Sequence, residues 1–197
     1  MIKSLLWTSL PTLDLHRIDF QRLKFFHQFV EKLLKFVDLK SVKKFAYYDK
    51  YESFISSKIS KWINAVMSNK VEHVELHFCL KKDFYELPSS IFTANNLKVL
   101  KLRFMNGVEI GALSHVSFPF LEVLEMVAIK FSDWQSFGTL FSACSSLKHL
   151  VLKDLYGNLK GPLDIGIFNY LVTADVPKSL LPLKVISNVT FLRIDMV

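Results

Sequence analysis

The chain has 197 residues, 51% of them hydrophobic and 22% charged, with six Gly, six Pro and eighteen Phe. That is too apolar for a disordered protein and long enough for one sizeable core or one short solenoid. The net charge of +7 is uneven, with 16 Lys/Arg and 10 Asp/Glu in residues 1–98 against 9 and 8 in residues 99–197, but no basic run exceeds two residues. The plain reading of that excess is a solvated lysine-rich face; the sharper one is an acidic protein or nucleic-acid partner.

Two cysteines, Cys79 and Cys144, are too few for a disulfide framework, so a reducing compartment, cytoplasm or nucleus, is expected. Met1-Ile2-Lys3 precedes only a short apolar run, Ser4-Leu5-Leu6-Trp7, and Pro11 and Asp14 follow closely, which argues against a signal peptide. The longest uncharged stretch, Trp134–Leu147, is polar and shorter than the ~18 apolar residues a membrane span needs. The Asn188-Val189-Thr190 sequon lies in a predicted strand and carries no meaning without secretion.

In chain order, Leu10-Pro11-Thr12-Leu13-Asp14-Leu15 reads as a first strand. From Phe20 to Phe36 the apolar positions Phe20, Leu23, Phe26, Phe29, Val30, Leu33, Leu34 and Val37 step by threes and fours, which predicts an amphipathic helix. Val42-x-x-Phe45-x-Tyr47 is a degenerate strand. Phe54–Met67 carries Ile55, Ile59, Trp62, Ile63 and Val66 at helical spacing and predicts a second helix.

A phrase of the form Leu-x-x-Leu-x-Leu then recurs as Val71-Val74-Leu76, Leu97-Leu100-Leu102, Leu121-Leu124-Met126 and Leu147-Leu150-Leu152. Its starts are 26, 24 and 26 residues apart, the period of a leucine-rich solenoid. One such unit is too small to bury its own apolar face, so neighbours must stack into a continuous core. The expected fold is therefore α/β: a solenoid with parallel strands on the concave face and helices or irregular segments on the convex face.

Three residues past each last anchor comes another apolar position, Cys79, Met105, Ile129 or Leu155, expected to turn inward at the strand end. Cys79 and Cys144 then read as buried small hydrophobes and not as reactive thiols. The return Leu87–Phe92 leaves room for a turn or two of helix. The longer one from Ser132 to Cys144 aligns Trp134, Phe137, Leu140, Phe141 and Cys144 on one face, with Ser132 or Asp133 as the cap. Beyond Leu155 the pattern weakens to Phe168-x-x-Leu171-x-Thr173 and Val189-x-x-Leu192-x-Ile194, with Gly161, Pro177 and Pro182 between. The organisation read from this is 1–15, an entry segment and first strand; 16–70, helix-rich N-terminal repeats; and 71–197, leucine-rich repeats whose C-terminal cap is missing.

Five blocks resemble the leucine-rich-repeat region of plant F-box proteins of the FBD-associated group. They are Leu6–Leu15; Lys61–Ala65 leading into Val71–Leu76; Glu86–Thr93 before Leu97–Leu102; Phe118–Met126; and Phe141–Leu147, which lacks the family's usual Gly and Pro near the Cys. They span roughly residues 5 to 155, and their order is more specific than any block alone. The resemblance implies a substrate receptor of a cullin-RING ubiquitin ligase, whose F-box binds an adaptor and whose repeats hold a protein substrate. Only the end of an F-box, Ser4–Leu10, would fall in this chain, so adaptor binding is expected only if a full F-box lies upstream. It also implies that ubiquitin transfer belongs to other subunits.

Side chains alternate along a strand, so the residues between the leucines form the concave face. The candidate protein-binding set is His73, Glu75, His77, Val99, Lys101, Arg103, Val123, Glu125, Val127, His149, Val151 and Lys153. The bland alternative is a solvated face that binds nothing. His73 and His77 would stand ~13 Å apart on a strand, too far to share an ion. No Gly-rich phosphate loop, His-Glu-x-x-His or Gly-x-Ser-x-Gly motif occurs. No enzyme activity, cofactor, metal or membrane partner is expected. The rival readings are nucleic-acid binding along Lys43, Lys44, Lys58, Lys61 and Lys70, testable by its salt dependence, and a truncated product without independent function.

Overall fold

The computed structural model describes residues 9–53, 57–80, 87–157, 168–177 and 189–195. Its strands are β1 (Thr12–His16), β2 (Lys44–Ser53), β3 (His73–Leu80), β4 (Val99–Ile110), β5 (Val123–Phe131), β6 (His149–Lys153), β7 (Tyr156–Gly157), β8 (Thr173–Pro177) and β9 (Phe191–Asp195). They form one sheet in the order β1-β2-β3-β4-β5-β6-β8-β9, with β7 beside β5, and all the pairings are parallel. Strand order follows chain order because each repeat returns to lie beside the last. The helices are α1 (Leu23–Phe36), α2 (Ser57–Met67) and α3 (Trp134–Ser142), with 3-10 turns at Arg17–Asp19 and Ser89–Ile91. The expected α/β leucine-rich-repeat solenoid is thus the architecture of the chain.

The leucine ladder is the core. Phe45 lies beside Val74, then Leu100, Leu124, Leu150 and Ala174; Tyr47 leads in the same way through Leu76, Leu102, Met126 and Leu152. All of these are buried. Helices α1 and α2 pack on this face, with the Tyr47 ring 5.6 Å from Phe26 and 6.4 Å from Trp62. Each repeat is also keyed to the next by the backbone. The carbonyls of Pro11, Lys43, Glu72, Lys98, Glu122, Lys148 and Val172 each accept two N–H groups from the start of the following strand. A carbonyl has two lone pairs, so one oxygen sets the register of a whole strand.

Several expectations change in detail. The first helix starts at Leu23, three residues later than Phe20, because Arg17–Asp19 forms a 3-10 turn and Phe20 is extended (φ −121°, ψ 129°). The second runs from Ser57; Phe54, Ile55 and residue 56 lie outside the described residues. Asp133 is the cap of α3, its carboxylate accepting the Ser136 N–H at 2.6 Å. Those bonds, with that of the Ser132 hydroxyl, hold the Asp133 carboxyl below the usual carboxylate range.

Met105 does not turn inward but is 62% exposed. Pairing between β4 and β5 slips after Arg103, so Val108 takes the place beside Ile129 and is buried. Gly107, at φ +80°, permits the detour. At the matching position of β5 and after β6, Ala128 (φ 56°) and Asp154 (φ 50°) make the corner just before Ile129 and Leu155.

The seventh repeat is framed differently from the expectation. His149 pairs with Thr173 and Leu150 with Ala174, so its ladder is Leu171-x-x-Ala174-x-Val176. Phe168 is the anchor before it, equivalent to Ala94, Phe118 and Cys144, whose carbonyls each accept the N–H three residues on. The start moves to 171, 24 residues after 147, and the period is preserved. Gly161, Pro182 and Asn188 fall outside the described residues.

Candidate interaction face

The strand residues between the ladder positions make a second, open face. Sheet register sorts them into three rows running across the strands, with neighbours ~4.8 Å apart. One row is Thr12, Lys44, His73, Val99, Val123, His149, Thr173 and Phe191; the next is Asp14, Ala46, Glu75, Lys101, Glu125, Val151, Asp175 and Arg193. The third holds His16, Tyr48, His77, Arg103, Val127 and Lys153. All twelve residues picked out by alternation therefore share one face and occupy adjacent places in it. His16, Tyr48 and Asp175 join them, missed because their strands carry the weaker repeats.

The charges on this face are largely paired with one another. Glu75 is a hub: the Tyr48 hydroxyl donates to it at 2.7 Å, Lys44 lies 3.1 Å away and Lys101 3.6 Å. Burial works against its ionised form, but these donors hold the carboxyl below the usual carboxylate range. The same arrangement pushes the Tyr48 phenol up to about 12, burial first and the Glu75 carboxylate second. Arg103 donates two hydrogen bonds to Glu125, and Lys153 pairs with Asp175 at 2.8 Å. Burial and the nearby Arg103 push the His77 imidazole below its ordinary range, favouring its neutral form. His16 stacks on Tyr48 at 4.4 Å, and Tyr48 meets His77 edge-on at 6.1 Å. Beyond these, Val99, Val123, Val127 and Val151 are half-buried and stand among the charged residues of β4, β5 and β6.

A second charge ladder runs just before the strands. Lys43, Glu72, Lys98, Glu122 and Lys148 alternate in sign from repeat to repeat, with Lys43–Glu72 at 3.1 Å, Lys98–Glu72 at 2.8 Å and Lys148–Glu122 at 2.9 Å. Bonds from Lys98 and then Lys43 pull the Glu72 carboxyl down to about 2. The alternation stands in the sequence one residue after each first ladder position, where it could have been seen.

Three of the five lysines considered for nucleic acid are engaged by carboxylates, Lys43 by Glu72, Lys44 by Glu75 and Lys58 by Glu31. Among the described residues no group of three or more His, Cys, Asp or Glu is placed to hold a metal ion, and no helix is long and apolar enough to cross a membrane.

The family model for the leucine-rich repeats of FBD-associated F-box protein At5g56370 matches residues 59–162. The chain is 33% identical over 157 residues to F-box/LRR-repeat protein 13 of Arabidopsis thaliana, covering 75% of this chain and 33% of that protein. It is 28% identical over 155 residues to F-box/FBD/LRR-repeat protein At5g56420 (78% and 36%) and 29% identical over 152 residues to FBD-associated F-box protein At1g66310 (75% and 33%), both from the same plant. The chain spans about a third of the length of these curated relatives. No solved structure matches it. The strand ladder, the repeat period and these matches agree: the chain belongs to the leucine-rich-repeat family of the FBD-associated F-box proteins.

Proposed function

We propose that this chain is the substrate-recognition part of an F-box-type receptor of a cullin-RING ubiquitin ligase, and that it holds a protein substrate on its open face. The observation carrying this is the continuity of that face: three rows across the sheet, with valines standing among paired charges on the middle strands and aromatic side chains beside them. Its role is positioning, with no bond made or broken by its own side chains. Adaptor binding belongs to a full F-box upstream, where one is present. The setting is cytosol or nucleus, a reading supported by the low cysteine content, two in 197 residues.

Because the charges are already paired within the face, selection falls to the aliphatic and aromatic positions. A partner carrying opposite charges would have to break existing pairs. The test is affinity capture from plant extract with the wild type, with Val127→Lys plus Val151→Lys, and with Lys61→Glu on α2 as a control. Proteins held by the wild type and the control should be lost with the double valine variant. Equal capture by all three would move the site off this face.

A further inference from the structure

The repeats of this chain come in pairs. From residue 71 the ladders start 26, 24, 26 and 24 residues apart, so the interval that returns is 50. Residues 71–120 and 121–170 match at that offset, Glu72 with Glu122, Glu75 with Glu125, Lys98 with Lys148 and Phe118 with Phe168. Gly107 (φ +80°) and Gly157 (φ +115°) also fall 50 apart, so a left-handed glycine recurs at the same place in each pair. Charge follows the pairing. In the three rows and in the ladder before the strands, every carboxylate belongs to β1, β3, β5 or β8 and every Lys or Arg to β2, β4, β6 or β9.

The joints recur as well. Inside a pair, Lys98 meets Glu72 at 2.8 Å and Lys148 meets Glu122 at 2.9 Å. Between pairs, a donor in the third row reaches diagonally to an acid on the next strand: Tyr48 to Glu75 at 2.7 Å, Arg103 to Glu125, and Lys153 to Asp175 at 2.8 Å. Tyr48 lies opposite His77 and Arg103 opposite Val127, while Val151, two places before Lys153, lies opposite Asp175. The three clasps therefore share one geometry, each reaching back two places. A slip by a single repeat would set like charges side by side, which destabilises a sheet; a slip by a pair would not.

The twelve open-face residues picked out by alternation form six couples 50 residues apart. Two couples keep their charge and their place in a clasp, Glu75 with Glu125 and Arg103 with Lys153. The other four change: His73 gives way to Val123, His77 to Val127, Val99 to His149 and Lys101 to Val151. All eight of these are half-buried. Their contacts do not recur either. Lys101 lies 3.6 Å from Glu75, and His149 meets the Thr173 hydroxyl at 2.9 Å, where Val151 and Val99 can form no such bond. We infer that these eight residues select the partner of the open face, while the clasp residues hold the pairs together; this rests on the reading of that face as a protein-binding surface. The first pair offers two imidazoles and an ammonium beside one valine, the second three valines beside one imidazole. The fitting protein segment lies across β3 to β6, a width of ~14 Å, polar over the first pair and apolar over the second.

The test uses the immobilised 197-residue chain and a phage-displayed library of random peptides. Peptides recovered by the wild type should carry a polar end and an apolar end. Their affinity should fall at least roughly tenfold when the first pair is given the side chains of the second, by His73→Val, His77→Val, Val99→His and Lys101→Val together. Exchanging the clasp donors, Arg103→Lys with Lys153→Arg, should leave affinity unchanged. In thermal melts, Tyr48→Phe with Lys153→Met should lower the melting temperature by at least about 4 °C and the fourfold exchange by less than about 2 °C. Peptides without the polar and apolar ends, a clasp variant that melts like the wild type, or a fourfold variant that melts as low as it would overturn the inference. So would affinity lost on exchanging the clasp donors or kept by the fourfold variant. Val127→Lys with Val151→Lys separates the two levels. If that variant loses the peptides while the fourfold variant keeps them, the face stands as the binding surface and only the choice of residues fails. If it keeps them, or the wild type recovers none, the reading of the face falls and this inference with it.

Discussion

Arg103 and Glu125 are joined by two hydrogen bonds, although neither faces the other in the sheet: Arg103 lies opposite Val127, and Glu125 opposite Lys101. The short Val127 side chain leaves room for the guanidinium to reach back diagonally, while Lys101 turns the other way towards Glu75. The pair is lopsided in exposure, with the Arg103 side chain 49% accessible and that of Glu125 only 11%. The carboxylate is therefore the member that depends on its partner.

Arg103→Met should accordingly destabilise the protein by about 1–2 kcal/mol, since it strands a mostly buried carboxylate without its two donors. Glu125→Gln should cost less, because the amide needs less compensation and Arg103 can turn to water. Urea denaturation of both single variants and the double variant should give a coupling of about 1 kcal/mol. Additive effects would show that the clasp contributes nothing net.

Acid should loosen the stack through its carboxylates. The pKa values of Glu72, Glu75, Glu122 and Asp133 are depressed in the folded chain. A depressed folded pKa stabilises above the unfolded carboxylate value, and that contribution disappears as pH falls through the folded one. For Glu72 the window runs from about pH 5 down to about 2. Glu72→Gln should flatten the fall in melting temperature over that range relative to the wild type, and added salt should have less effect on it. A parallel pH profile would mean that Lys43 and Lys98 gain nothing from the charge.

Gly157 and Gly107 should respond differently to alanine. At Gly157 a Cβ would meet the Phe131 carbonyl oxygen at 2.3 Å, and φ is +115°. Gly157→Ala should cost about 1–3 kcal/mol and break the pairing of β7 with β5. At Gly107 the nearest atom would be the Ala128 carbonyl oxygen at 3.8 Å, leaving only the strain of φ +80°. Gly107→Ala should therefore cost about 1 kcal/mol. Thermal melts of the two variants check the order.

Cys144 should be chemically silent in the folded protein. Burial pushes its thiol up to about 12, and its sulfur lies 3.2 Å from the Leu140 carbonyl oxygen. Iodoacetamide at pH 8 should leave it unmodified until denaturant opens α3, with labelling followed by mass spectrometry at rising urea. Rapid modification of the native chain would place this segment outside the packed core.

The central repeats were legible because their ladder positions are filled by large aliphatic residues at a fixed interval. Leu97, Leu100 and Leu102 could hardly serve any other pattern. The seventh repeat was misframed because Ala174 is a weak apolar signal, while the nearby Phe168 is a strong one placed three residues too early. Met105 misled for a different reason: Gly107, the local sign that pairing slips between Arg103 and Val108, carried less weight than the apolar residue two places before it. The open face followed from alternation alone, because period-two geometry holds wherever the ladder is known. The pairing within it was not legible, since diagonal reach depends on the length of neighbouring side chains in other repeats. The face of α1 was only half visible. Its buried stripe declared itself by spacing, but Phe29, counted with the core, lies on the exposed flank.

The row of doubly accepting carbonyls has a last consequence. Successive ladders begin at residues 10, 42, 71, 97, 121, 147, 171 and 189, intervals that vary from 32 down to 18 residues. Each strand is nonetheless locked to its predecessor at the same atom, so whatever the chain does between strands leaves no trace in the alignment that follows. The outer loops are in this sense free text between fixed line breaks. Insertions there can lengthen or reshape the back of the molecule while every row across the front stays where it was.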